Sequence, residues 1–147
     1  MKIIFIDIDG VLNSGFGRGP YISDMEIEKV ELLEKLIKES ESSGIVITSD
    51  RRCSEVDLNN KIEVFHKYNI NVLGITRYPN EEDDEDNRGK QIIDYLSSSH
   101  NEIDKIVILD DNDDGISSYF DNEFVLVNRL YGINKEIYDK VLKILKP

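Results

Sequence analysis

Ile3-Ile4-Phe5-Ile6-Asp7-Ile8-Asp9-Gly10-Val11-Leu12-Asn13 is the stretch that decides the fold. The apolar run Ile3 to Ile6 has no polar break and reads as a strand buried on both faces of a parallel sheet. It ends at Asp7, with Asp9 two residues on. Ligands of open α/β sheets bind outside the carboxyl ends of the strands. Two carboxylates placed there suit a hard cation, and one of them suits attack on an electrophile. Gly10 lets the chain leave the strand in a tight turn. Asp-x-Asp-Gly also begins calcium loops, but an EF-hand would place a helix before Asp7 and a Glu where Arg18 stands.

The chain has 147 residues, enough for a sizeable core, and reads as a single domain over 1–147 without repeats or linkers. With 39% hydrophobic and 33% charged residues it has the composition of a soluble protein. No apolar run approaches the ~20 residues of a membrane span, and the N-terminus lacks the pattern of a signal peptide. Cys53 stands alone, so no intrachain disulfide forms, and a cytoplasmic location is expected. The formal net charge of −12 argues against sequence-independent nucleic-acid binding, which depends on cations neutralising phosphates. It suits a site that concentrates Mg²⁺.

Residues 14–22 are Gly-rich and predict a loop, with Arg18 and Tyr21 as groups able to touch a substrate. Ser23-Asp24-Met25-Glu26 has the form of a capping box, predicting a helix from there to about residue 41. Ile45-Val46-Ile47 is the second buried strand and runs into Thr48-Ser49-Asp50-Arg51-Arg52. Arg51 or Arg52 can grip a phosphate bidentately, and both could lower the pKa of Cys53, although no partner His supports a nucleophilic role. Ser54 starts a second helix that Asn69 ends, and Ile70 to Ile75 forms the third strand. The acidic run Glu81 to Asp86 predicts a solvated, mobile loop. A helix with Arg88 and Lys90 at its start follows, and basic groups there oppose the helix dipole. Ile106 to Leu109 is the fourth strand. It ends in Asp110-Asp111-Asn112-Asp113-Asp114, whose acids repel one another unless a cation or solvent screens them. Phe124 to Val127 gives a fifth strand, and Ile133, Ile137, Val141, Ile144 and Leu145 give a last helix its buried face. Strands alternating with helices predict an α/β fold, a Rossmann-like three-layer sandwich around a five-stranded parallel sheet.

The strand followed by Asp-x-Asp-Gly-Val-Leu resembles the first motif of the haloacid dehalogenase-like (HAD) phosphohydrolase superfamily. The resemblance extends in order to all four family motifs and implies a HAD-like fold. The segment after the first motif is too short for a cap domain. The resemblance makes Asp7 the nucleophile and Asp9 the acid and base. It makes Thr48 the second-motif hydroxyl, with Ser49 as the alternative. Lys90 is the third-motif cation, with Arg88 as the alternative. The fourth motif is Asp110 with either Asp111 or Asp114. The site is thus expected to be Asp7, Asp9, Thr48 and Lys90 for catalysis, with Ser49, Arg51 and Arg88 binding substrate. Mg²⁺ is expected on Asp7, Asp110, Asp111 and the backbone carbonyl of Asp9. The phrases Ile-Asp-Ile-Asp-Gly-Val-Leu-Asn, Thr-Ser-Asp-Arg, Arg-Gly-Lys-Gln-Ile and Ile-Leu-Asp-Asp look most like a small capless branch related to phosphatase domains of RNA-repair proteins. Asp50 departs from that pattern, where an aromatic residue is expected.

The function this implies is Mg²⁺-dependent hydrolysis of a phosphomonoester through an aspartyl-phosphate on Asp7. Three alternatives stand beside it. A polynucleotide-end phosphatase fits the branch but is disfavoured by the charge. A non-catalytic binding protein on this fold would lack a catalytic Asp, and none is missing. A phosphoacceptor signalling domain would carry an acceptor Asp after the third strand, where Ile75-Thr76-Arg77 stands. The expected partner is a small phosphorylated substrate, with no membrane. Selectivity is left to residues 14–22, the acidic loop 80–87, or a partner subunit.

Overall fold

The computed structural model describes residues 1–17, 19–50 and 54–147. The readings that fall on Arg18, Arg51, Arg52 and Cys53 lie outside the described residues. The apolar runs form the strands of one parallel sheet: β1 (Lys2–Ile6), β4 (Gly44–Ile47), β5 (Val72–Ile75), β6 (Lys105–Asp110) and β7 (Phe124–Leu126). Their order is β5-β4-β1-β6-β7. The chain leaves β1 toward one edge and later returns to build the other. The switch point therefore lies between β1 and β6, where such sheets bind ligands. Register sets Ile6 against Leu109, and the Asp7 amide donates to the Leu109 carbonyl at 3.0 Å. The first and fourth motifs thus end side by side.

Helices cover both faces. On one, α1 (Ile27–Ser40), α2 (Glu55–Lys67) and α5 (Lys135–Leu145) pack over Ile4, Ile6, Ile45, Ile47, Val107 and Leu109. On the other, α3 (Arg88–Ser98) and the short α4 (Ile116–Tyr119) cover Ile3, Phe5, Val46 and Ile108. Side chains alternate along a strand. Asp7 and Asp110 therefore share the parity of Phe5 and Ile108 and lie on the α3 side, which decides which helix can supply their counter-ion.

The capping box expected at Ser23 does not form. Ser23 and Asp24 both take left-handed backbone angles, φ 48° and 63°. They make the two-residue turn of a hairpin, β2 (Tyr21–Ile22) and β3 (Met25–Glu26), and left-handed angles at both central positions match the twist of the strands. The helix starts at Ile27, with Glu26 as its N-cap and no side-chain cap bond. This hairpin stands between β1 and α1, and the described residues there form no cap domain. It is tied down by Lys61, wholly buried on α2, whose ammonium donates to the Ser23 carbonyl at 2.9 Å and pairs with Asp57 at 2.8 Å. The expected cap at Ser54 forms, accepting from the Asp57 amide, and Asn69 takes the left-handed angle of a helix exit.

The acidic run differs from a freely solvated loop. Asp86 accepts two bonds from the Arg77 guanidinium, at 2.7 and 2.9 Å, and one from the Asn80 amide at 2.7 Å. That knot pins the segment leading into α3.

Candidate active site

Asp7, Asp50, Arg88, Asp110, Asp111, Asn112 and Asp114 line a cavity of about 140 Å³ at the switch point. Asp7 and Asp110 are buried. The carboxylates of Asp7, Asp110 and Asp111 bring one oxygen each within 4.8 Å of one another, a spacing that can hold a metal ion. Gly10 makes this possible in two ways. Its φ is 79°, and a Cβ there would strike the Asp111 carboxylate. The donors are all hard oxygens, which suit Mg²⁺. Burial first, then the neighbouring Asp110 charge, pushes the Asp7 carboxyl up to about 8. Burial also pushes Asp110 up, to about 6, against the pull of Arg88. Crowded, desolvated carboxylates of this kind favour a bound cation, and the residues present fit one.

Arg88 is the cation among the described residues of the cavity. Its guanidinium lies 2.7 Å from Asp110, 3.6 Å from Asp7 and 3.1 Å from Asp50, and its buried Nε has no hydrogen-bond partner among the described residues. Lys90, expected in this place, does not line the cavity and pairs instead with Asp83 at 3.3 Å. The reason is rotation: positions two apart on a helix point about 200° from each other. The inward face of α3 is Arg88, Gly89, Gln91 and Ile92.

At the end of β4 the two hydroxyls divide. The Ser49 side chain hydrogen-bonds the Asp7 carboxylate and lowers its pKa. The Thr48 hydroxyl accepts from Thr76 at 3.1 Å in the buried interior. Asp9 is exposed at the rim rather than in the cavity lining. Asn13 holds it there, donating to Asp9 at 2.9 Å and accepting from the Gly10 amide at 2.9 Å. Asn13 also donates to the Asp24 carbonyl of the hairpin turn at 3.0 Å.

The acids of 110–114 have separate tasks. Asp110 and Asp111 belong to the cluster with Asp7. Asp114 accepts from the Arg88 amide at 3.1 Å, capping α3 and locating its first residue. Asp113 caps α4 through the amide and hydroxyl of Ser117. Of the two fourth-motif pairings, the structure brings Asp110 and Asp111 together with Asp7.

Asn13 and Arg129 escaped the sequence reading. Asn13 was legible in principle, since an Asn three residues beyond a Gly turn often bonds back to the turn amide. Arg129, 3.6 Å from Asp111, follows no motif and reaches the site only through the fold.

The sequence model of the family described as the HAD domain in Swiss Army Knife RNA repair proteins matches residues 3–137. No curated protein and no solved structure matches the chain at a significant level. A match over so much of the chain, with its acids at the switch point of a HAD-like sheet, places the protein in a definite family: it belongs to the HAD domains of Swiss Army Knife RNA repair proteins.

Proposed function

We propose that this domain is a phosphatase that hydrolyses a phosphomonoester by way of an aspartyl-phosphate on Asp7. The observation that carries the reading is the meeting of Asp7, Asp110, Asp111 and Arg88 in one small cavity at the switch point. Asp7 attacks phosphorus, and the bond from phosphorus to the leaving oxygen breaks. Asp9 gives its proton to that oxygen. Asp9 then takes a proton from water, which attacks the phosphorus of the intermediate and frees Asp7 and inorganic phosphate. Asn13 keeps Asp9 oriented at the rim for both transfers. Arg88 and Ser49 stand where charge gathers on the phosphoryl oxygens. Asp7, Asp110 and Asp111, with the Asp9 backbone carbonyl, would hold Mg²⁺, which would supply the positive charge that lets an anionic nucleophile meet an anionic phosphate.

The substrate is read as a small monoester. The net charge of −12, and the carboxylates of Asp7, Asp50, Asp110, Asp111 and Asp114 around the cavity, both oppose a long polyanion. A nucleic-acid end is the second substrate class, favoured by the RNA-repair family to which the chain belongs. Salt dependence separates the two. One phosphate contact gives a slope of about one or less in log kcat/KM against log salt, and a polymer gripped at several phosphates gives a steeper one. Asp7→Asn should abolish turnover of any phosphomonoester the wild type accepts in Mg²⁺ while leaving the fold intact. Substantial Mg²⁺-dependent activity in a folded, uncontaminated Asp7→Asn protein would sink the covalent mechanism.

A further inference from the structure

A second cavity, of about 200 Å³, opens between the hairpin and the turn that follows β7. Its lining includes Phe16, Glu26, Leu130 and Tyr131. Phe16, Leu130 and Tyr131 are large apolar side chains at 60%, 44% and 55% exposure, a grouping soluble proteins keep where something binds. The rings of Phe16 and Tyr131 lie 5.7 Å apart, centre to centre, tilted by 39°. Glu26 is nearly the opposite, a carboxylate only 9% exposed. One of its oxygens faces Lys29 at 3.5 Å, and the other has no hydrogen-bond partner among the described residues. A buried, unsatisfied acceptor is costly, and it calls for a donor supplied from outside.

The walls of this cavity are fixed to the catalytic groups. Gly15 and Phe16 donate backbone bonds to the carbonyls of Arg129 and Leu130, at 3.1 and 3.3 Å. Ile133 donates to the Val11 carbonyl at 2.9 Å, and Glu26 donates to that of Leu12, also at 2.9 Å. Phe16 lies three residues beyond Asn13, which orients the group that protonates the leaving oxygen. Leu130 follows Arg129, whose side chain touches Asp111. The segment that carries Asp9 is therefore bonded directly to the segments that present Phe16, Leu130 and Tyr131.

We propose that this second cavity is the leaving-group site, and that it takes a planar ring bearing N–H donors, the chemistry of a nucleobase. The ring stacks on Phe16 and Tyr131 and donates to Glu26, while the ester oxygen stays at Asp9. The assignment rests on the phosphatase reading for its place in the reaction, but ring binding can be measured without any turnover.

The test has two arms. The first compares kcat/KM in Mg²⁺ for a nucleoside monophosphate, phenyl phosphate and glycerol phosphate. Phe16→Ala and Tyr131→Ala should each lower the first two at least about tenfold and spare glycerol phosphate, the scale set by losing one base–aromatic stack. Glu26→Gln should lower the nucleotide alone, because only that ring offers donors. The second arm titrates the protein with unphosphorylated nucleosides and follows the ring resonances of Phe16 and Tyr131. Shifts that saturate in wild type and weaken in Glu26→Gln support the site. Equal effects of all three variants on the three esters, or no nucleoside-dependent shift, overturn it even if the protein is a phosphatase. Ring binding without hydrolysis of any ester would instead preserve the site and reject the phosphatase reading.

Discussion

Replacing Arg88 by alanine removes the guanidinium that stands 2.7 Å from Asp110 and 3.6 Å from Asp7. At an effective dielectric near 20, unit charges about 4 Å apart interact by about 4 kcal/mol. Desolvation of the buried guanidinium offsets part of that. Removing one partner of a buried pair costs about 3–5 kcal/mol, because the other charge is left without compensation. Here the carboxyls have an escape: Asp7 already holds its proton near neutral pH, and Asp110, which burial raises against the pull of Arg88, takes one up once the guanidinium is gone. The expected loss for the metal-free protein near neutral pH is therefore at the low end, about 3 kcal/mol. Saturating Mg²⁺ should shrink it, since a bound dication neutralises the same carboxylates. Turnover should fall by about 10²–10³ in kcat, the scale for losing one preorganised group facing transition-state charge. Arg88→Lys should recover only part of this, because an ammonium cannot span Asp110 and Asp50 at once. Lys90→Ala is the control. Its partner Asp83 is a surface group, and both stability and kcat should stay close to wild type. The assays are thermal unfolding with and without Mg²⁺, and steady-state kinetics on a phosphomonoester. Near-normal turnover in Arg88→Ala together with a collapse in Lys90→Ala would refute the assignment and return the third motif to Lys90.

Ser49→Ala should lower kcat by about tenfold or more with little change in melting, because its hydroxyl touches Asp7. Thr48→Val should do the reverse, costing about 1–2 kcal/mol through the lost partner of Thr76 while sparing most turnover; equal kinetic damage from both would show that the hydroxyls share the task. Asp86→Asn should destabilise by about 1–2 kcal/mol at pH 7, discounted because Arg77 is partly exposed. The Arg77 guanidinium holds Asp86 well below the usual carboxylate range, so this stability is present above about pH 4 and fades as pH falls further. Unfolding curves for the two proteins that stay parallel down to pH 2 would contradict the assignment. Asp7 has the opposite sign. Its raised pKa means the folded metal-free protein binds more protons than the unfolded chain from about pH 4 to 8, so stability falls as pH rises through that window. Asp7→Asn should remove that slope and raise the metal-free melting temperature at pH 8, by the equivalent of roughly 1–3 kcal/mol; a melting temperature at or below wild type there counts against it.

How far the sequence could be read followed from how local each signal is. The five strands were legible because short apolar runs are contiguous patterns, and Asp7 and Asp110 because each directly follows such a run. The failures concern orientation. Arg88 and Lys90 both stand in the first turn of α3, and only the Asn87 and Asp114 caps, which fix the phase of that helix, decide which one faces inward. Ser23 and Glu26 have capping-box spacing, yet Ser23-Asp24 serves as a hairpin turn because Met25 is buried and Glu26 pairs with Tyr21. The acid run looked uniformly solvated because composition cannot show that one member, Asp86, faces Arg77 nine residues back. Arg129 and Asp111 meet only once β6 and β7 are paired.

On the proposed reading, the same geometry would let a domain with no cap among its described residues both bind a dianion and choose among dianions. Among the described residues the candidate cavity is built of carboxylates around one guanidinium, and Asp50 already occupies one edge of that guanidinium at 3.1 Å. Under the proposed function an entering phosphoryl group would compete with Asp50 for Arg88, and it would meet net repulsion until a cation filled the acid cluster. Charge at this point therefore controls whether phosphate enters, but it is nearly blind to what the phosphate is attached to. Discrimination has to come from surface that touches the leaving group. The hairpin and the turn after β7 are bonded directly to the segment that carries Asp9 and Asn13. In the proposed mechanism, selectivity fixed to the acid that protonates the leaving oxygen would act on the step where that group departs. A substrate whose ring was held at Phe16 and Tyr131 would also have its oxygen held at Asp9, so recognition and proton transfer would depend on the same placement.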